Sequence, residues 1–168
     1  MLLGGHLNPA VSFSMFLIGR LSFLKFILYS IAQFCGAFLA SLMVFIVYFN
    51  QIQTYPAGMF SLETASIFST YPSDLNEPIN SLLFSFLNEL FSTALFIILV
   101  LAATDKRNGI PPVFAALIIG FSLLVIGSAF SLICGNAINP ARDLAPRYFT
   151  LIAGWGLQVI TAGNYFFW

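Results

Sequence analysis

Three long apolar runs constrain what this chain can fold into more than any other feature. They cover residues 23–49, 81–103 and 112–133; the first two contain one charged residue each, Lys25 and Glu89, and the third contains none. Each run is long enough to cross about 30 Å of hydrocarbon as an α-helix. The chain is 60% hydrophobic and 7% charged, too little charge to cover a soluble helical protein with a large core. We therefore predict an all-α integral membrane protein.

The composition also excludes several classes of function. Six basic and six acidic residues give no net charge, whereas a nucleic-acid-binding protein needs a basic face. The two cysteines, Cys35 and Cys134, are too few and too far apart for a disulfide framework or a metal site. The single histidine, His6, follows two glycines, with no nucleophile elbow or metal-ligand spacing around it. We predict no nucleic-acid partner, no catalytic residue, no metal and no cofactor, and hence not an enzyme.

The basic residues orient the chain, because Lys and Arg in short loops beside membrane spans stay on the cytoplasmic side. Two basic residues precede the first span and two follow the second: Arg20, Lys25, Lys106 and Arg107. Segment 50–80, between those spans, carries three acidic residues and no basic one, which predicts an extracellular loop. The same orientation leaves Arg142 and Arg147 outside. An exception to the rule so close to the membrane predicts a local function for them.

The tripeptide Asn-Pro-Ala occurs twice in the chain. Its copies are Asn8, Pro9 and Ala10, and Asn139, Pro140 and Ala141. Each copy opens an apolar stretch, 9–18 and 140–150, that is too short to span a membrane. Asn is a favoured N-cap and Pro suits the first helical turn, so each copy predicts the start of a short helix. One such helix alone would be an ordinary surface element, but two that approach from opposite sides predict re-entrant half-helices in an inverted repeat.

Half-helices of this kind would meet at their N-termini near the middle of the membrane. Each N-terminus presents unpaired N–H groups and about half a positive charge, which repels cations. We expect capping to hold the amides of Asn8 and Asn139 and to aim them into a lumen, where they would donate hydrogen bonds to a water or alcohol oxygen. The pattern therefore favours a pore for small neutral solutes.

Two Asn-Pro-Ala boxes around three spans resemble the aquaporin family, in which boxes on two half-helices form the midpoint of a six-span pore. The resemblance implies one partial channel domain over 1–168, made of a first box loop and half-helix at 4–22, the three spans, the loop 50–80, and a second box loop and half-helix at 134–150. It predicts two further spans before Gly4 and one after Trp168, which the run 165–168 would begin. We expect the chain to be a truncated product or a partial gene model of such a channel.

The resemblance also assigns residues to a selectivity filter. In the family an arginine follows the second box, binds solute oxygens and repels cations and hydronium, and Arg142 takes that place. Gly127 stands where glycerol-conducting members have glycine and water-selective members have histidine; the alternative is a packing glycine of a membrane helix. Asn136 departs from the pattern, because this loop position is often aromatic or apolar in glycerol channels. Urea or other small polar solutes would suit such a filter as well as glycerol.

Three further residues match the glycerol-conducting branch of the family: Tyr48, Asp143 and Arg147. Arg147 follows Asp143 by one helical turn, so we predict that the two pair and fix the loop; the alternative is an exposed pair of little energetic value. Glu89, the only acid within a span, is expected to accept hydrogen bonds from the backbone of the second box loop rather than to carry protons. His6 is expected to pack the first loop, and a titrating gate is the alternative.

We therefore predict a passive channel of the aquaglyceroporin type, which conducts glycerol and water and excludes ions and protons. The resemblance implies a homotetramer if the channel is complete, with the lipid bilayer and small neutral solutes as partners, and we expect it in the plasma membrane. The alternative is a non-conducting truncated fragment that associates with full-length homologues.

Overall fold

The computed structural model describes residues 5–71 and 80–162, and in these two ranges all regular structure is helical. The α-helices are α1 (Pro9–Leu17), α2 (Phe23–Val47), α3 (Phe49–Gln53), α4 (Leu62–Ala65), α5 (Asn80–Thr104), α6 (Pro112–Cys134), α7 (Pro140–Thr150) and α8 (Gln158–Thr161). A short 3-10 turn, Lys106–Asn108, joins α5 to α6, and a π-helical turn, Leu151–Trp155, follows α7. The predicted loop beyond residue 71 and the predicted span start at 165–168 lie outside the described residues.

Three segments of the described chain are long and apolar enough to cross a membrane. They are Phe23–Val47, Leu83–Thr104 and Pro112–Cys134, which lie in α2, α5 and α6. The predicted all-helical membrane architecture is thereby confirmed. The first span is two residues shorter than the predicted 23–49, because the chain leaves helical geometry at Tyr48 (φ −103°, ψ 16°) before α3 begins.

The turn between α5 and α6 is built by its own side chains. Asp105 Oδ1 accepts a hydrogen bond from the backbone N–H of Arg107 at 3.0 Å, and the Arg107 guanidinium donates to both carboxylate oxygens. The side-chain hydrogen bonds from Arg107 hold the pKa of the Asp105 carboxyl well below its usual range. Gly109 closes the turn at φ 64°, in the left-handed region that glycine adopts without strain. Pro112 then occupies the first turn of α6.

The two predicted half-helices are α1 and α7. Each begins with an Asn cap and a proline, Asn8 before Pro9 and Asn139 before Pro140. The helices contain nine and eleven residues. At 1.5 Å per residue they rise about 14 and 17 Å, roughly half the thickness of the hydrocarbon layer. Neither helix is long enough to span a membrane.

Two apolar clusters hold the half-helices in place. The first joins α1 to α5, α6 and the second box loop, through Val11, Met15, Phe96, Val100, Ile126 and Ile138. The second joins α7 to the segment 49–71 and to residues 151–161, through Ile52, Ala65, Phe68, Phe149, Trp155 and Val159. Phe38 and Phe45 of α2 pack on the second cluster, with ring centroids 5.7 and 5.8 Å from that of Phe149. Burial of these side chains fixes where the N-termini of α1 and α7 lie.

Candidate functional site

The N-termini of α1 and α7 are joined by two reciprocal hydrogen bonds. Asn8 Nδ2 donates to the carbonyl of Ile138 at 2.9 Å, and Asn139 Nδ2 donates to the carbonyl of Leu7 at 2.9 Å. Each amide therefore bonds the residue that precedes the other Asn in the chain. The two halves of the inverted repeat meet at this junction.

The oxygens of the same two amides cap their own helices. Asn8 Oδ1 accepts from the N–H of Ala10 at 2.8 Å, and Asn139 Oδ1 accepts from those of Ala141 at 3.1 Å and Arg142 at 3.3 Å. The two amides are held by capping as expected, and in addition one N–H of each donates to the opposite loop. A primary amide has two N–H donors, so one N–H of each remains for the lumen.

The loop before the second box has an unusual backbone. Gly135 (φ 77°), Asn136 (φ 57°) and Ile138 (φ 39°) all lie in the left-handed region. Asn tolerates this region, but for a β-branched residue such as Ile it costs about 1–3 kcal/mol. The strained peptide nevertheless supplies the carbonyl that accepts from Asn8. No sequence motif signalled this conformation.

Glu89 of α5 supports the strained loop. Its Oε1 accepts from the N–H of Ala137 at 2.7 Å, and its Oε2 accepts from the N–H of Ile138 at 2.8 Å. The thiol of Cys134 also donates to Oε1 at 3.3 Å. Both carboxylate oxygens therefore have donors, and these hydrogen bonds stabilise an acid at membrane depth that would be costly if it were unpaired.

A cavity of about 580 Å³ lies beside the junction. The residues predicted for the boxes and the filter that line it are Asn8, Asn139, Gly127, Asn136 and Arg142. Residues of α1, α5 and α6, most of them apolar, and residues of both box loops complete the lining. A mostly apolar cavity with a few convergent polar groups is typical of sites for small molecules.

Gly127 and Asn136 are close neighbours in this lining. A Cβ placed on Gly127 would lie 3.8 Å from Asn136 Nδ2, an ordinary van der Waals distance. Asn136 is only 7% exposed, and its Oδ1 has no hydrogen-bond partner among the described residues. A buried acceptor without a donor costs about 1–3 kcal/mol.

Arg142 is exposed at the start of α7 and lines two cavities. The first is the cavity beside the junction. The second, of about 550 Å³, lies along α2 and is lined by Tyr29, Gln33 and Gly36. Arg142 therefore borders both cavities.

His6 packs between the first box and α2. Its ring meets that of Tyr29 edge-on at a centroid distance of 5.5 Å, and its Nδ1 lies 3.2 Å from Ser12 Oγ. Gln33 Nε2 donates to the His6 carbonyl at 2.6 Å and to Ser12 Oγ at 3.0 Å. These contacts tie the first box loop to α2, while His6 also borders the 580 Å³ cavity.

Asp143 and Arg147 form an ion pair inside α7. Arg147 Nε lies 2.6 Å from Asp143 Oδ2, and the two residues are only 7% and 4% exposed. The alternative of an exposed pair is therefore wrong. Removing one partner of a buried pair leaves an uncompensated charge and typically costs about 3–5 kcal/mol.

Tyr48 lies apart from this site. It is 52% exposed at the break between α2 and α3 and does not line the cavity. Within the described part of the chain, no group of three or more His, Cys, Asp or Glu side chains is placed to hold a metal ion. Among the residues that no sequence pattern indicated are Gln33, which bonds the first box loop, and Thr70, which contacts α7 from the segment before α5.

Paired half-helices that meet at capped N-termini beside three membrane-crossing helices define an integral membrane protein built on an inverted repeat. The model of the major intrinsic protein family matches residues 2–161. The chain belongs to this family, whose members include the aquaporins. The resemblance to the aquaporin family that the two boxes predicted is thereby confirmed.

The chain is similar to curated and solved members of the family. It is 42% identical to aquaporin-9 of Homo sapiens and 41% identical to aquaporin-10 of Homo sapiens, each over 170 residues. These matches cover 98% of this chain but 56% and 55% of the relatives, so the chain spans about half the length of the curated relatives it matches. The X-ray structure of the aquaglyceroporin from Plasmodium falciparum superimposes with a TM-score of 0.78 at 29% identity, over 98% of this chain and 64% of that one.

Proposed function

We propose that the chain forms a passive channel that conducts glycerol and water and excludes ions and protons. The observation that carries the proposal is the convergence of two capped half-helix N-termini and Arg142 on one cavity. Channel pores of this kind select by the hydrogen-bond donors that line them and by fixed positive charge.

Exclusion of cations follows from the charges at the junction. The N-termini of α1 and α7 each contribute about half a positive charge near the middle of the membrane. Arg142 adds a full positive charge at the edge of the same cavity. A neutral solute can accept hydrogen bonds from the Asn8 and Asn139 amides without being repelled. A cation or hydronium is repelled by these positive charges.

The lining suits a solute with one apolar and one polar side. Val11, Ile119 and Leu123 present apolar surface, while the two box asparagines present donors. Glycerol offers the matching pattern of C–H and O–H groups. Because Asn136 adds a polar residue to the lining, urea and other small polar solutes are proposed as further substrates. A homotetramer in the plasma membrane is proposed as the assembly and location.

A substitution at Gly127 tests the proposal. Gly127→Ala adds a methyl group 3.8 Å from Asn136 Nδ2, inside the lining of the cavity. Gly120→Ala makes the same change one heptad earlier on α6, where a Cβ meets no heavy atom within 4 Å. Stopped-flow light scattering of vesicles would measure glycerol and water permeability for each. We expect Gly127→Ala to lower glycerol permeability severalfold and water permeability less, and Gly120→Ala to change neither.

Two results would contradict the proposal. If vesicles with the unmodified chain are no more permeable than empty vesicles, the chain does not conduct by itself. If Gly127→Ala and Gly120→Ala behave alike, the cavity beside Gly127 is not the solute path.

One observation favours the second candidate, a non-conducting subunit that associates with full-length homologues. The chain spans about half the length of the curated relatives it matches, so a pore that needs their whole length would need a full-length partner. Co-purification of the unmodified chain with a co-expressed full-length relative, together with permeability no higher than that of empty vesicles, is the expected result for this alternative. Conduction by the purified chain alone would exclude it.

A further inference from the structure

Thr70 contacts the immediate neighbours of both loop residues predicted for the filter. A Cβ placed on Gly135 would lie 3.0 Å from Thr70 Cβ and 3.2 Å from its Cγ2. On the other side, the Thr70 hydroxyl donates to Asp143 Oδ1 at 2.6 Å. Gly135 precedes Asn136, and Asp143 follows Arg142. Thr70 is thus packed against the beginning of the box loop and hydrogen-bonded just beyond its end.

All polar groups of Thr70 are used on the ion pair of α7. Its backbone N–H donates to Asp143 Oδ1 at 2.8 Å, beside the bond from its hydroxyl. Its carbonyl accepts from Arg147 Nη2. The residue is 5% exposed. Hydrogen bonds to ionised groups in a buried setting are stronger than neutral ones, so this attachment is firm.

The segment around Thr70 is fixed to the same pair by its neighbours. Ser69 Oγ donates to the Asp143 carbonyl at 3.3 Å. The Tyr71 ring lies under the Arg147 guanidinium, whose carbon is 4.4 Å from the ring centroid. The Tyr71 hydroxyl donates to the Val159 carbonyl at 3.1 Å, and Arg147 Nη1 donates to the same carbonyl at 2.8 Å. Segment 69–71 and α7 therefore behave as one unit.

We infer that Thr70 is a specificity-determining positioning residue, which holds Gly135 and Asp143 and so sets the separation of Asn136 and Arg142 across the cavity. The inference rests on the proposed function in that the two positioned residues are taken to line the solute path. It extends that function to a segment about 70 positions before the second box. The solutes that this separation would select are small neutral molecules that fit between the Asn136 amide and the Arg142 guanidinium.

Thr70→Val tests the inference, because valine keeps the shape of threonine and lacks the hydroxyl. The matched control is Thr54→Val, since Thr54 is exposed and its hydroxyl donates only to the Asn50 carbonyl of its own turn, at 2.8 Å. Thr70→Ser is the conservative variant, because it keeps the donor to Asp143. Each full chain would be reconstituted in vesicles for permeability and in nanodiscs for amide hydrogen exchange.

Thr70→Val should speed amide exchange in residues 136–142 by about tenfold or more, the factor expected when a charge-assisted hydrogen bond is lost. It should also change the ratio of glycerol to water permeability by about fivefold, at the low end for coupled sites. Thr54→Val should change neither quantity, and Thr70→Ser should retain both. Equal exchange in the two valine variants, or an unchanged permeability ratio in a conducting Thr70→Val, would overturn the inference.

Hydrogen exchange keeps the inference separate from the proposed function. If the unmodified chain does not conduct, the proposed function fails, and exchange alone then decides whether Thr70 positions the loop. If Thr70→Val does not fold, amide exchange in the unmodified chain tests whether Thr70 positions the loop. Its Thr70 amide should exchange at the rate of the Ala141 and Arg142 amides, and a Thr70 amide more than about tenfold faster than those would overturn the inference.

Discussion

Replacing Glu89 by glutamine should destabilise the second box loop strongly, although the side chain keeps its shape. The glutamine oxygen can still accept from one of the N–H groups of Ala137 and Ile138, which lie 2.7 and 2.8 Å from the carboxylate. The other N–H then faces the glutamine NH2 group, which is also a donor, and it loses its hydrogen bond. Both loop residues are buried, at 8% and 5% exposure, so water does not replace the lost acceptor.

The magnitude follows from these two contacts. Loss of a hydrogen bond to a charged acceptor costs about 1.5–3 kcal/mol, and a buried N–H left without a partner costs about 1–3 kcal/mol. These costs overlap, because they describe the same N–H. Relaxation of the strained Ile138 conformation, worth about 1–3 kcal/mol, would return part of the loss. We expect Glu89→Gln to lower the free energy of unfolding by about 2–3 kcal/mol.

The assay is unfolding by sodium dodecyl sulfate in mixed micelles, followed by circular dichroism. Glu63→Gln is the matched control, because Glu63 is exposed in the first turn of α4 and its carboxylate supports no loop. Exposed substitutions of this kind usually change stability by less than about 0.5 kcal/mol. The reasoning is refuted if the two variants unfold within about 1 kcal/mol of each other.

Two further predictions concern the junction and the α5–α6 turn. Asn8→Ala and Asn139→Ala should each lower the free energy of unfolding by about 2 kcal/mol, because each removes a helix cap and one hydrogen bond across the junction. The double variant should lose less than the sum of the two, because both hydrogen bonds close the same junction. Detergent unfolding of the two single variants and the double variant measures these losses, and strict additivity would contradict a shared junction. Arg107→Gln should raise the pKa of Asp105 toward the ordinary value of about 4, because it removes the side-chain hydrogen bonds that are the largest cause of the lowering. Because the folded-state pKa of Asp105 is depressed, its ionised carboxyl stabilises the turn at any pH above the ordinary pKa. This stabilisation is lost as the pH falls through the folded-state pKa. A carbon-13 NMR titration of the Asp105 carboxyl measures the shift, and an unchanged pKa would show that Arg107 is not its cause.

The membrane-crossing helices and half-helices could be predicted because their causes are local. Run length sets the spans, and the Asn-Pro pair sets the starts of α1 and α7, since both features act over a few neighbouring residues. The end of α2 could not be predicted to the residue, because the break at Tyr48 has no sequence signal such as Gly or Pro.

The contacts that shape the site could not be predicted in this way. The bond from Asn8 to the Ile138 carbonyl depends on an approach of residues 130 positions apart, and the contacts of Thr70 with α7 depend on a separation of 73. Periodicity and capping say nothing about such distances. The left-handed conformation of Ile138 opposes its own preference and is maintained by Glu89 from another helix.

The reciprocal bonds between the two boxes also order events during synthesis. Asn8 is made 130 residues before Ile138, the residue whose carbonyl its amide must reach. At about 5–20 residues per second, the ribosome needs roughly 7–26 s to add the intervening chain. Throughout that interval the Asn8 amide lacks the Ile138 carbonyl as its acceptor. The membrane-insertion machinery or water must therefore satisfy the polar groups at the N-terminus of α1. The first half of the repeat is therefore synthesised well before the second half can complete the junction.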